Sequence, residues 1–144
     1  PKINIKTNEM VGMEALIRWN DPELGFMSPD KFIPFAEQCG LISDIGNWVL
    51  RKAALQAKEW NDTYAKGYRV AVNISPLHIA EPTFIMQLQD VIEETGVDPK
   101  ILEIEITEMS MLDYNEELIF KIIKRKQQCS HLCFILDGGR FYGY

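Results

Sequence analysis

Residues 101–107 read Ile101-Leu102-Glu103-Ile104-Glu105-Ile106-Thr107. Strict alternation sets Glu103, Glu105 and Thr107 on one side of a strand and Ile104 and Ile106 on the other. The isoleucine side suits packing against helices. The opposite side is then unusually polar for the inside of a sheet or barrel. Similar strand-like runs rich in β-branched residues occur at Ile3–Ile5, Gly12–Trp19, Tyr68–Ser75 and Leu132–Asp137, separated by longer stretches of helical spacing. Strand, helix, strand is the pattern of a parallel sheet.

The helical stretches carry their own punctuation. Ser28-Pro29-Asp30 offers an N-cap, a first-turn proline and an early acid, and Gly40 closes that segment. Ser43-Asp44 opens a long amphipathic helix from Asp44 to Lys66, with Ile45, Trp48, Val49, Leu55 and Trp60 on its apolar face and Gly67 at its end. A third helix is expected from Thr83 to Thr95, before Gly96. A fourth is expected from Tyr114 to Gln128, with Lys121, Lys124, Arg125 and Lys126 facing solvent.

A (β/α)8 barrel of about 250 residues spends about 31 on each strand-helix unit, so 144 residues make about four to five units. A doubly wound open sheet needs a Gly-rich phosphate turn after its first strand, and neither G-x-G-x-x-G nor G-x-x-x-x-G-K occurs. The fold class is therefore α/β, a partial TIM-like (β/α) barrel. No Ser/Gly-rich linker marks an internal boundary within 1–144.

Composition narrows the function. Fifteen Lys+Arg against 21 Asp+Glu leave a net charge of −6, with no cationic excess to grip a nucleic-acid backbone. No apolar run approaches a membrane span and no signal core is present, so a cytoplasmic protein without membrane contact is expected. Cys39, Cys129 and Cys133 are odd in number and lack a C-x-x-C pair, which argues for reduced, partly buried thiols. His78 and His131 are the only histidines, too few and too isolated for a zinc or His-based nucleophile scheme.

Oxygen donors are better placed. Glu14, Asn73, Glu105 and Asp137 lie in or end four different strand-like runs, and the last three recur at an equal interval. Equivalent positions of successive parallel strands lie side by side, so such groups converge on one patch. Three carboxylates and an amide without sulfur or imidazole suit Mg²⁺ or Mn²⁺. Singly, each has a plainer role: Asp137 could cap a helix, Asn73 could bond a turn, and Glu14 could pair with Arg18. A different barrel enzyme, abstracting a proton next to a carboxylate, would also use acidic metal ligands.

Gly12-Met13-Glu14-Ala15-Leu16-Ile17-Arg18-Trp19 resembles the signature strand of the EAL family of cyclic-di-GMP phosphodiesterases. The similarity continues through Pro22-Glu23-Leu24-Gly25, Phe32-Ile33-Pro34, Ala36-Glu37 and Gly40-Leu41-Ile42. Asp44 to Leu50, Val70 to Ser75 and Leu102 to Glu108 are similar to later blocks in the same order, to about Asp137. The resemblance implies the first four to five strand-helix units of an EAL domain, a barrel that hydrolyses cyclic di-GMP to linear pGpG with Mg²⁺ or Mn²⁺. By position, Glu14, Asn73 and Glu105 match metal ligands, Asp137 matches the first of two paired aspartates, and Arg18 matches a residue that holds a ligand phosphate. Leu16 and Pro76 would shape the wall around the ligand.

The chain departs from the family after Asp137, where Gly138-Gly139-Arg140 replaces the second aspartate and its neighbours. Pro1 is not an encoded start and Tyr144 ends a Gly/aromatic run, so 1–144 is expected to be an incomplete EAL domain with impaired or lost turnover. Exposed strand edges would favour a homodimer or swapped assembly. Sensory or cyclase domains are expected elsewhere in the parent protein. The alternative is a non-catalytic cyclic-di-GMP receptor or protein-interaction module.

Overall fold

The structure is a computed structural model and describes residues 1–107, 124 and 133–137, the last segment and Thr107 by their backbone. Among the described residues five strands form the main sheet: β1 (Lys2–Asn4), β2 (Glu9–Ala15), β5 (Arg69–Asn73), β6 (Leu102–Thr107) and β7 (Cys133–Asp137), in that spatial order. β3 (Trp19–Asp21) and β4 (Gly25–Met27) form a separate two-stranded antiparallel sheet. Helices α1 (Pro29–Gln38) and α2 (Ile42–Tyr64) carry the chain from that sheet to β5, and α3 (Pro76–Ala80) and α4 (Phe84–Thr95) from β5 towards β6. The β2–β5, β5–β6 and β6–β7 pairings are parallel.

Alternation decides which side of the sheet is covered. Val70, Val72, Leu102, Ile104 and Ile106 are buried with Leu50, Ala53, Ala54 and Ala57 of α2 and Phe84, Leu88 and Val91 of α4 in one core. The large residues expected on the buried face of α2 do not all lie there. Trp48 is 55% and Leu55 48% exposed, while the alanines face the core. Small side chains let the helix axis approach the sheet and α4 closely, which leaves the bulky ones at the rim.

Several boundaries also move. β1 runs antiparallel to β2, against the all-parallel expectation, with a register shift between Lys2 and Ile3. The Gly12–Trp19 run splits: β2 ends at Ala15, and Trp19 opens the hairpin whose Asp21 carboxylate accepts the Glu23 and Leu24 amides at 2.9 and 3.0 Å. Those two amides hold the Asp21 carboxyl below its usual range. Ser43 does not cap α2. Leu41 takes the cap position, and Ser43 is buried inside the helix with its hydroxyl donating to Glu81. Cys39 is exposed rather than partly buried. The fourth helix lies outside the described residues except at Lys124, which is helical and exposed.

The sheet is curled. Lys2 on β1 donates to Glu105 and Glu103 on β6, although β2 and β5 lie between those strands. Three strand spacings span roughly 14 Å in a flat sheet, and side chains that stand off its surface do not bridge that distance. The contact therefore closes over a concave face, the polar one.

His78 on α3 is fully buried against Gly46 of α2, edge-on to Phe84, with Nε2 3.3 Å from Gln87 Oε1. Nδ1 has no hydrogen-bond partner among the described residues. Burial lowers its pKa, and the Gln87 contact and the charges of Glu81 and Asp44 offset this only in part. The unfolded chain then binds the proton more readily than the folded one. His78 thus favours folding fully above its unfolded pKa of about 6.5, and that contribution falls as pH drops below it. Thermal unfolding should show wild type losing more Tm than His78→Gln between about pH 7 and pH 5.5; parallel curves would refute this.

Candidate active site

The site is built from strand ends. Asn73 closes β5 and pairs in register with Glu105 of β6, so the expected neighbourhood of these two holds. Glu14 pairs with Ala71, one pleat earlier than Asn73, and the Asn73 amide crosses that step, donating to Glu14 Oε1 at 2.5 Å. Glu14 therefore does not pair with Arg18, whose Nη1 donates to the Ile17 carbonyl at 2.8 Å. Asp137 sits level with Thr107, and Ile135 sits level with Glu105. The equal sequence interval does not survive between β6 and β7, and Asp137 lies one pleat beyond Glu105 along the ladder.

Among the described residues no three His, Cys, Asp or Glu side chains form a cluster that could hold a metal. The carboxylates brought together are Glu14 and, across Asn73, Glu105. All the donors are oxygens, and the donor set fits a hard cation rather than zinc.

Beside this rim opens a cavity of about 580 Å³ lined by Leu16, Arg18, Asn73, Pro76 and Glu105 together with Glu37, Ser75 and the start of α2. It gathers the three expected ligand-binding residues and two of the expected metal ligands. Arg18 is the one cation in this lining among the described residues. The linked chain of contacts is local in space but remote in sequence: Ser75 donates to Glu37 at 2.7 Å, which fixes the wall between α1 and the end of β5.

Behind the rim, Lys2 donates to Glu105 Oε1 at 2.5 Å and to Glu103 Oε2 at 2.9 Å, and Arg69 Nη1 donates to Glu103 Oε1 at 3.2 Å. Glu103 is buried and doubly paired. Partial burial acts to lower the Lys2 pKa, but its hydrogen bonds to Glu105 and Glu103 and their charges outweigh it and raise the value. Nothing in the sequence singles out Lys2, because its partners are about a hundred positions away. The one legible hint is the polar side of residues 103–107, which needs a cation.

The profile of the EAL domain matches residues 1–139. The chain belongs to the EAL domain family. The EAL chain is 38% identical over 122 residues to the oxygen sensor protein DosP of Escherichia coli, covering 85% of the chain and 15% of that protein. It is 35% identical over 144 residues to the cyclic di-GMP phosphodiesterase PdeR of the same organism, covering 99% of the chain and 21% of PdeR. The solved structure of the PaMucR phosphodiesterase in complex with c-di-GMP superposes with a TM-score of 0.81 at 29% identity, over 100% of this chain and 58% of that one. The EAL chain thus spans 15% and 21% of the lengths of these two curated relatives.

Proposed function

We propose that this EAL chain forms part of a TIM-like barrel that binds cyclic di-GMP and opens one of its phosphodiester bonds to give linear pGpG. The observation that carries the reading is the joining of Glu14, Asn73 and Glu105 at one rim beside a cavity whose single lining cation among the described residues is Arg18. The PdeR relationship and the PaMucR complex support the substrate.

Glu14, Asn73, Glu105 and Asp137 would hold Mg²⁺ or Mn²⁺, in keeping with the metal dependence of EAL phosphodiesterases. A bound divalent ion polarises a phosphoryl oxygen and acidifies water. The chain's own groups do the rest. Asn73 holds Glu14 through its amide, which keeps one carboxylate oxygen directed and leaves the other for a cation. Arg18, at the cavity wall, would place a guanidinium against a nonbridging phosphate oxygen. Leu16, half exposed, would add apolar surface to that wall against the nucleotide, with Pro76 buried behind it as backing. Gly138 stands where the family carries its second aspartate, and turnover is expected to be reduced on that account.

Appearance of pGpG from cyclic di-GMP with Mn²⁺, resolved by anion-exchange chromatography and absent in Glu14→Ala, tests the reading. Arg18→Ala should weaken cyclic-di-GMP binding by roughly 10–100-fold, as loss of a charge-assisted hydrogen bond does. Calorimetry with Ca²⁺ in place of Mn²⁺, with the product checked by chromatography, measures it. The Gly138 substitution favours a second reading, a cyclic-di-GMP receptor without turnover. Metal-independent binding with no product would select it. Cytoplasmic location, a homodimer or swapped assembly, and accompanying sensory or cyclase domains belong to the same proposal; among the described residues no helix is long and apolar enough to cross a membrane.

A further inference from the structure

Lys2 reaches the site from behind. Its ammonium bonds one oxygen of Glu105 and one of Glu103, while Arg69 takes the other oxygen of Glu103. Both oxygens of Glu103 are thereby occupied. Glu105 is different: among the described residues its Oε2 takes no hydrogen bond, and Glu105 is next in register to Asn73 and lines the cavity. The side chains are 31% exposed for Lys2, 14% for Glu105 and 6% for Glu103, so the contact is largely sheltered yet open on the cavity side.

We propose that Lys2 is a positioning residue for Glu105, pinning one carboxylate oxygen so that the other is presented to a divalent cation at the Glu14–Asn73–Glu105 rim. This rests on the reading of that rim as a cation site. Two effects of the ammonium oppose each other. Its charge repels an incoming cation, but the Glu103 carboxylate paired with the same ammonium offsets that repulsion. Its hydrogen bonds fix the Glu105 rotamer and relieve the repulsion between Glu103 and Glu105, which share a strand face two residues apart. Groups that orient a metal ligand commonly account for about 10–100-fold in metal affinity. Orientation therefore outweighs repulsion here.

The test is Mn²⁺ titration of the purified protein without nucleotide, followed by the electron paramagnetic resonance of free Mn²⁺. Lys2→Met should raise the Mn²⁺ Kd by about 10–100-fold, and Lys2→Arg, which keeps a charged donor, should stay within about threefold of wild type. Thermal unfolding in EDTA establishes that each variant is folded, and Lys2→Gln replaces Lys2→Met if the latter is not. Unchanged or tighter Mn²⁺ binding in a folded Lys2→Met or Lys2→Gln protein overturns the inference while leaving the cation site intact. Failure of the wild type to bind Mn²⁺ overturns both.

Discussion

Glu14→Gln should lower Mn²⁺-dependent hydrolysis of cyclic di-GMP by at least about 10²–10³-fold, the loss typical of removing one group that stabilises charge at a reacting phosphate. Glutamine keeps the size of the side chain and an acceptor for the Asn73 amide, so the 2.5 Å contact can persist and the charge alone is removed. Glu14 is exposed, and Asn73 is the residue it bonds among the described ones. Its replacement should therefore leave Tm nearly unchanged, which separates a chemical defect from a folding one. Glu9→Gln, on the same strand but away from the rim, is the matched control. Product formation at high protein concentration is the measurement, because turnover is expected to be slow with Gly138 in place of the family's second aspartate. A Glu14→Gln protein retaining more than about a tenth of the wild-type rate would remove Glu14 from the chemistry.

Gly12→Val should be the most damaging single change to the fold. A Cβ at Gly12 would collide with the main-chain carbonyl of Arg69 on the neighbouring strand. A side-chain tip can swing away from such a contact, whereas a strand carbonyl moves only if the β2–β5 pairing opens. Overpacking of this kind costs about 3 kcal/mol or more, and the valine methyls add to it. For a chain of this size that is a fall in Tm of more than about 10 °C. Gly67→Ala offers the contrast: φ is +65° there but open space surrounds the position, so a backbone penalty of about 1 kcal/mol is expected. Equal Tm for Gly12→Val and Gly67→Ala would show that the β2–β5 contact tolerates a side chain.

These two positions show what the amino-acid order made legible. The alternation at 101–107 correctly assigned β6, its buried face and the side carrying Glu105, because a period of two survives whatever packs around it. The pairing of Asn73 with Glu105 followed from equal spacing across one crossover. The level of Asp137 did not, since the crossover between β6 and β7 returns two residues out of step with the one before it. The α2 face was misjudged because side-chain size was read as burial, when Ala53, Ala54 and Ala57 mark the close approach and Trp48 the rim. The antiparallel course of β1 and the Lys2 contact depend on the curl of the sheet, which no local pattern encodes.

The tie between Lys2 and residues 103 and 105 also has a kinetic meaning. It joins positions separated by 101 and 103 residues, so it forms only after nearly the whole described chain has been gathered. Closing so long a loop is entropically costly, and the β2–β5 and β5–β6 ladders with their crossover helices are the shorter-range structures that must precede it. β1 can pair with β2 early, since the two strands lie within a dozen residues, but its Lys2 tie is the last to lock: a ribosome releases Lys2 long before Glu103 and Glu105 have been made.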